Sequence, residues 1–186
     1  MNIPNALTCL RIVLGVLCAM ILARSDSALS YFIYFILFVF AAFTDLFDGY
    51  FARKLKIESS FGKIADPIAD KILNLASFFV LSYRGVFSVW WLVPITIREV
   101  LVTAIRIERI MRGQVIAAEF AGKLKTTVQY VAIGMGFFVL IANTWAPESL
   151  VELLLKVVFF VSLVSTLILT LYSGIIFLIK IYHAQA

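Results

Sequence analysis

The feature that most constrains this chain is a series of six apolar stretches, several of them close to 20 residues long. They cover approximately residues 6–23, 28–49, 64–83, 87–107, 125–143 and 150–179. A helix of about 20 apolar residues is long enough to cross the hydrocarbon core of a bilayer. The pattern therefore predicts an all-α, polytopic membrane protein with six transmembrane helices.

The composition excludes the other broad classes of protein. Of the 186 residues, 63% are apolar and 15% are aromatic, whereas soluble globular domains are about 45–50% apolar. A water-soluble enzyme and a disordered chain are both excluded by these values. Six crossings and their short turns use the whole length, so we expect residues 1–186 to form a single membrane domain.

Basic residues are shared unequally between the two sets of predicted loops. One set holds Arg53, Lys54, Lys56, Lys63, Arg109, Arg112, Lys123, Lys125 and Lys180, and the other holds Arg24 and Arg84. Since cytoplasmic loops carry the excess of lysine and arginine, both termini are predicted to be cytoplasmic. Pro4 stands where a helix would begin, so residues 1–8 are predicted to be a short interfacial segment.

Several charged residues lie within or at the ends of the apolar stretches. They are Asp45, Asp48, Asp66, Asp70, Lys71, Arg98, Glu99 and Arg106. A charge at the centre of a bilayer costs at least ~2.5–3.5 kcal/mol, so these groups need partners or a bound ion. They are the first candidates for functional residues.

Four of these residues form two spaced acidic pairs. Asp45 and Asp48 are three residues apart, and Asp66 and Asp70 are four apart, so each pair lies on one face of its helix. The two helices are consecutive and are joined by about a dozen polar residues, which allows them to be antiparallel neighbours. All four carboxylates are then expected to meet at the cytoplasmic end.

Four facing carboxylates repel one another, and bound divalent cations would keep them ionised. Oxygen ligands favour Mg²⁺ or Mn²⁺, and two such ions would form a site for phosphoryl transfer. The small residues Gly49, Ala52 and Gly62 lie close to these acids and would let a phosphate or a base approach the backbone. The alternative is that the aspartates are helix caps or interfacial loop charges.

The spacing of these residues resembles a known signature. The chain reads Asp45-x-x-Asp48-Gly49-x-x-Ala52-Arg53, then eight residues, then Gly62-x-x-x-Asp66-x-x-x-Asp70. This resembles the complete signature of the CDP-alcohol phosphatidyltransferase family. Further segments resemble the bacterial phosphatidylglycerophosphate synthases within that family, namely residues 2–8, 97–99, 106 and 122–129.

The resemblance implies a homodimeric, six-helix enzyme of the bacterial inner membrane with two bound divalent ions. Such an enzyme transfers the phosphatidyl group of CDP-diacylglycerol to an alcohol and releases CMP. The subfamily implies sn-glycerol 3-phosphate as the acceptor and phosphatidylglycerol phosphate as the product. The signature alone leaves other acceptors open, including phosphatidylglycerol (a cardiolipin synthase), inositol phosphate, serine and choline.

The resemblance also implies roles for individual residues. Asp45, Asp48, Asp66 and Asp70 are expected to hold the metal ions, and Asp70 to act as general base. Gly49, Ala52 and Arg53 match the nucleotide-binding positions, although Arg53 is also explained as a cytoplasmic loop charge. Asn5, Thr8 and Gln129 are further polar candidates. The aromatic residues are expected to pack or face lipid, so no nucleic-acid partner is predicted.

An acceptor that carries its own phosphate needs a second cationic pocket. The candidates are Arg106, Arg98, Lys123 and Lys125, of which two guanidinium groups suit a phosphate well. Arg98 has the alternative of pairing with Glu99 as structural support. Lys123 and Lys125 cannot point the same way on a helix, and both are also explained by topology. Lys71 is expected to compensate charge.

An alternative from another functional class is a small ion or solute transporter. That function predicts acidic residues near the middle of a span, or broken helices in matching halves of the chain. Here the acids gather at one edge and the sequence contains no inverted repeat. The pattern therefore favours the enzyme.

Overall fold

The structure is a computed structural model of the chain. It describes residues 13, 15–16, 24, 26–55, 60–113 and 120–183, with the side chains of 44–55 and 60–66 outside that description. Within these ranges every regular element is a helix, as the apolar pattern predicts. Residues 1–8, the expected interfacial segment, lie outside the described residues.

Five long helices account for most of the described chain. They are α1 (Ala28–Leu55), α2 (Ser60–Tyr83), α3 (Leu92–Met111), α4 (Phe120–Trp145) and α5 (Leu150–His183), with a single 3₁₀ turn at Val89–Trp91 before α3. Helical conformation is also found at residues 13, 15, 16 and 24, within and just after the first predicted crossing. Gly15 packs closely on α2, because an added Cβ there would lie 3.3 Å from Leu73 Cδ1.

The predicted connection between α1 and α2 is wrong, because it is too long. The sequence suggests about a dozen polar residues, but α1 continues to Leu55 and α2 begins at Ser60, which leaves residues 56–59 between them. The polar stretch that follows Gly49 contains no proline and no further glycine before Gly62. Polar and charged residues do not end a helix by themselves, so the helix extends beyond its apolar part.

α1 and α2 form an antiparallel hairpin, as predicted. The hydroxyl groups of Tyr34 and Ser77 lie 2.7 Å apart, and both residues are buried. Ser77 in turn donates to the carbonyl oxygen of Leu73 at 2.8 Å, one turn earlier on α2. A residue near the start of α1 therefore meets a residue near the end of α2.

The core receives side chains from all five long helices and is rich in aromatic residues. The rings of Tyr34 and Phe137 are 4.7 Å apart between centroids. Gly136 lets α4 approach its neighbours, since a Cβ at this position would lie 2.5 Å from a methyl carbon of Leu81 and 3.1 Å from Phe159. Small residues of this kind allow close helix packing in membranes.

Two described helices, α4 and α5, are long and apolar enough to cross a membrane, and residues 28–43 of α1 form a shorter apolar stretch. The count of six crossings is therefore matched only in part. We call the end of the bundle where α2 and α4 begin the motif end. The far end is the opposite one, where the ion pair between Arg84 and Asp26 joins two turns.

Candidate active site

The acidic motif lies on the two arms of the hairpin at the motif end. Asp45 and Asp48 fall within the last eleven residues of α1, and Asp66 and Asp70 within the first eleven residues of α2. Gly49, Ala52 and Arg53 belong to the same part of α1. Because all of these positions are helical, each acidic pair shares one face of its own helix.

The contact between Tyr34 and Ser77 fixes the register of the hairpin. Asp45 lies eleven residues after Tyr34 on α1, and Asp66 lies eleven residues before Ser77 on α2. At about 1.5 Å per helical residue, both steps cover ~16 Å in the same direction. Asp45 and Asp66 therefore lie at equal distances along their own helices from this contact.

A divalent ion fits this donor set. The four aspartates offer only carboxylate oxygens, which are the ligands that hard cations such as Mg²⁺ and Mn²⁺ prefer. Asp45 and Asp66 are each eleven residues from the contact between Tyr34 and Ser77, toward the motif end of the hairpin. Asp70 lies one turn deeper than Asp66, and its side chain is partly buried.

A second group of charges surrounds Glu99 in the middle of the bundle. Lys71 Nζ lies 2.9 Å from Glu99 Oε2, and Lys125 forms an ion pair with Glu99 Oε1. Gln129 Nε2 donates to the same Oε1 at 3.1 Å, and Arg98 Nη1 lies 3.4 Å from it. We call Lys71, Arg98, Glu99 and Lys125 the Glu99 cluster. Three helices, α2, α3 and α4, meet there.

The Glu99 cluster carries more positive than negative charge. Glu99 and Lys125 each have only 2% of their side-chain surface exposed, so water contributes little to balancing their charges. Three cationic side chains share one carboxylate, which leaves a formal excess of two positive charges. Buried charge of this kind requires counter-charge, and a bound anion is one way to supply it.

Arg106 adds a further cation close to the cluster. Its guanidinium carbon lies 5.9 Å from the centre of the Phe177 ring, within the range of a cation–π contact. Its Nε is buried and has no hydrogen-bond partner among the described residues. Arg98 and Arg106 are near enough to repel each other electrostatically.

The two candidate lysines of α4 face in different directions, as the helical spacing requires. Lys125 is buried against Glu99, whereas Lys123 is exposed. The alternative that Arg98 pairs with Glu99 is also present in the structure. That pairing does not use the whole guanidinium group, because Arg98 Nη2 donates to Ser173 Oγ at 2.9 Å.

Sequence reasoning missed the contribution of α5 to this site. Ser173 and Phe177 contact Arg98 and Arg106, and Gly174 lies directly beside Arg98. Their only signal in the sequence is a row of small polar residues in an otherwise apolar helix: Ser162, Thr166, Thr170 and Ser173, all buried. Asn5 and Thr8, the remaining nucleotide-binding candidates, lie outside the described residues.

Comparison with known proteins identifies the family. The family model described as CDP-alcohol phosphatidyltransferase matches residues 1–172. The chain belongs to the CDP-alcohol phosphatidyltransferase family. This agrees with the resemblance of the acidic motif and does not fit the transporter alternative. Together with its apolar helices, membership of this family makes the chain a membrane protein, and the family generally uses a divalent metal ion.

The chain is also similar to individual curated proteins. The chain is 42% identical over 98 residues to the CDP-diacylglycerol–glycerol-3-phosphate 3-phosphatidyltransferase of Bacillus subtilis. The matched region covers 53% of this chain and 51% of the relative. It is 40% identical over 136 residues to a probable phosphatidylglycerophosphate synthase of Mycobacterium tuberculosis, covering 72% and 65%. A CDP-diacylglycerol–glycerol-3-phosphate 3-phosphatidyltransferase of Cereibacter sphaeroides is 34% identical over 139 residues. That match covers 73% of this chain and 63% of the relative. The matches thus span about half to two thirds of these relatives.

Proposed function

We propose that this protein transfers the phosphatidyl group of CDP-diacylglycerol to sn-glycerol 3-phosphate, giving phosphatidylglycerol phosphate and CMP. The family, the acidic motif and the names of the similar proteins support the transfer reaction. The excess of positive charge in the Glu99 cluster, with Arg106 nearby, supports an acceptor that carries a phosphate, and the names of the relatives support glycerol 3-phosphate among such acceptors. An acceptor without a phosphate has no need of such a pocket.

In this proposal the chain contributes three sets of residues. Asp45, Asp48, Asp66 and Asp70 hold two divalent ions, Mg²⁺ or Mn²⁺, which when bound neutralise charge on the pyrophosphate and on the leaving CMP. Gly49, Ala52 and Arg53, with Asn5 and Thr8, bind the nucleotide. Arg106, Arg98 and Lys125, with Lys123 at the entrance, bind the acceptor phosphate.

Asp70 is the proposed general base. It takes the proton of the 1-hydroxyl group of glycerol 3-phosphate as that oxygen attacks the β-phosphorus of CDP-diacylglycerol. A new P–O bond forms to the glycerol oxygen, and the bond between the β-phosphorus and the bridging oxygen breaks, so CMP leaves with that oxygen. Orientation of the acceptor by its phosphate would supply a large part of the rate.

The membrane arrangement is part of the same proposal. Six helices cross the bacterial inner membrane as a single domain, both termini are cytoplasmic, and two copies form a homodimer. The excess of basic residues in the loops at the motif end supports this orientation. The substrates then meet at the cytoplasmic face, where a water-soluble acceptor and a lipid donor can both reach the aspartates.

The test is an acceptor panel with the purified full chain. The protein is supplied with CDP-diacylglycerol, Mg²⁺ and labelled glycerol 3-phosphate, phosphatidylglycerol, inositol phosphate or serine, and the lipid product is identified. We expect phosphatidylglycerol phosphate and an equal amount of CMP, with the Asp70→Asn protein as the blank. Formation of cardiolipin or another lipid in place of this product would contradict the acceptor, and absence of any lipid product would contradict the transfer.

A further inference from the structure

The last helix carries a buried serine that orients one of the two arginines. Ser173 Oγ donates to the carbonyl oxygen of Thr170 at 3.2 Å and accepts from Arg98 Nη2 at 2.9 Å. Because the hydroxyl proton is used within α5, the oxygen lone pairs face the guanidinium group. Ser173 is 3% exposed, so water does not compete strongly for this bond. The contact joins residues 75 positions apart in the chain.

The next residue, Gly174, makes room for the same arginine. A Cβ added at Gly174 would lie 3.0 Å from Arg98 Cγ and 3.3 Å from Arg98 Nε. Such distances are too short for relaxed packing. The stem of Arg98 therefore rests on the backbone of α5, and any larger residue at position 174 would push it away from Ser173.

Phe177 lies one turn beyond Ser173 and supports the second arginine. Its ring is 5% exposed, and the guanidinium carbon of Arg106 lies 5.9 Å from its centroid. Arg98 and Arg106 carry like charges and lie eight residues apart on α3, so the helix sets the distance between their Cα atoms, and contacts from another helix are needed to fix where their guanidinium groups point. The three residues of α5 provide such contacts for both.

The surroundings of Gly174 in α5 differ from those of the two buried glycines of α4, Gly134 and Gly136. A Cβ at Gly134 would approach the ring of Phe35, and the three atoms nearest to one at Gly136 belong to Leu81 and Phe159. Those glycines serve apolar helix packing. The three atoms nearest to a Cβ at Gly174 instead all belong to Arg98, so this glycine makes room for a charged side chain rather than for an apolar one.

We propose that Ser173, Gly174 and Phe177 are positioning residues that fix Arg98 and Arg106 in the arrangement that binds the acceptor phosphate. They thereby determine the preference for an acceptor that carries a phosphate. The inference rests on the proposed function, because it assigns the two arginines to the acceptor. It adds the last helix to the elements that decide which alcohol is used.

The experiment compares two substitutions in α5 with the native full chain, using CDP-diacylglycerol and Mg²⁺. We expect Gly174→Ala to raise the KM for glycerol 3-phosphate by about tenfold, the effect of one weakened charged hydrogen bond. Ser173→Ala is expected to raise it by roughly fivefold. The kcat and the KM for CDP-diacylglycerol should change by less than about twofold in both variants, since neither residue belongs to the acidic motif.

A specificity measurement separates positioning from general packing. The ratio of kcat/KM for glycerol 3-phosphate to kcat/KM for glycerol should fall in both variants, because glycerol does not use the arginines. Ser173→Thr retains the hydroxyl and should restore the native ratio. Gly134→Ala is the matched control, since its added Cβ would also meet a neighbour at 3.3 Å, but that neighbour is Phe35. It should lower the Tm without changing the ratio.

The outcomes distinguish this inference from the proposed function. If the native chain makes no phosphatidylglycerol phosphate, the proposed function fails. If the native chain is active and Ser173→Ala leaves both the KM for glycerol 3-phosphate and the specificity ratio unchanged, the positioning role is wrong. Ser173→Ala decides the matter even if Gly174→Ala does not fold. Equal changes in the Gly134→Ala control would also overturn the inference.

Discussion

The far end of the helical bundle and the Glu99 cluster in its middle handle charge in different ways. At the far end, Arg84 pairs with Asp26 and Lys156 pairs with Glu152, one cation to each carboxylate. Asp26 is 82% exposed, and these pairs join or cap turns. In the Glu99 cluster three cations share one carboxylate that is almost completely buried.

The difference indicates which charges serve the fold and which serve a ligand. The exposed pair of Arg84 and Asp26 contributes little to stability, and the buried carboxylate of Glu152 is matched by a single cation, Lys156. An unbalanced buried group is costly unless another charge completes it. The far end is therefore complete in itself, whereas the Glu99 cluster has the charge expected of a site that receives an anion.

The largest effect should come from removing a carboxylate of the motif. Asp70→Asn removes the proposed base while keeping nearly the same shape, so turnover should fall by about 10²–10⁴-fold. Binding of CMP should largely survive, because the other three aspartates and Arg53 remain. Turnover of CDP-diacylglycerol and equilibrium binding of CMP are the two measurements.

Glu152→Gln is the matched substitution at the far end. Glu152 is a buried carboxylate that accepts a hydrogen bond from the backbone nitrogen of Glu148 at 2.7 Å. The Glu152→Gln protein should be somewhat less stable than the native chain and should keep its turnover. If Asp70→Asn retained activity, the assignment of the base would be wrong. If Glu152→Gln abolished turnover in folded protein, the contrast between the far end and the candidate site would fail.

The next largest effect concerns stability. Glu99→Gln removes the only carboxylate in the Glu99 cluster and leaves Lys71, Arg98 and Lys125 facing one another. Breaking a buried ion pair costs about 3–5 kcal/mol, so thermal unfolding in detergent should occur at a clearly lower temperature. Added inorganic phosphate should recover more of the Tm in the variant than in the native chain. Equal phosphate effects would argue against an anion entering this cluster.

A smaller effect is expected on the affinity for the acceptor. Arg106→Ala removes a charged donor worth about 1.5–3 kcal/mol, which raises the KM for glycerol 3-phosphate roughly 10- to 100-fold. Arg84→Ala removes an arginine that also lies over an aromatic ring, that of Tyr31 at 5.8 Å. It should lower the Tm and leave that KM unchanged. An unchanged KM in Arg106→Ala would exclude Arg106 from the pocket.

The smallest effect is predicted for the exposed pair. Asp26→Asn should reduce the free energy of unfolding by at most about 1 kcal/mol, and the loss should diminish at high salt because exposed charges are screened. A loss as large as that of Glu99→Gln would mean that an exposed ion pair contributes as much to stability as the buried charges of the Glu99 cluster, which would contradict the comparison. Chemical denaturation at two salt concentrations provides the comparison.

Much of the fold follows from the sequence because bilayer physics leaves few options. Helical structure, the antiparallel hairpin and the helical spacing of each aspartate pair all depend on local periodicity. The length of α1 was harder, because the charged residues after Gly49 look like a loop when only hydropathy is considered. The alternation of Lys123 and Lys125 was predictable, but which of the two is buried depends on the position of Glu99.

The contacts around the arginines could not be predicted in the same way. Arg98 reaches Ser173 across 75 residues, and a single sequence does not indicate that α3 and α5 are neighbours. Serine and glycine in an apolar helix are ordinarily explained by close packing. Only the structure distinguishes Gly174, which faces an arginine, from Gly134, which faces a phenylalanine ring.

The hydroxyl contact between Tyr34 and Ser77 sets a limit on insertions and deletions. One residue added inside either arm, between this contact and the aspartates, would shift one acidic pair by about 1.5 Å and rotate it by about 100°. Bonds from Mg²⁺ to oxygen are about 2.0–2.1 Å long and tolerate little change. Variation in chain length should therefore be confined to residues 56–59, where the spacing between the two pairs is unaffected.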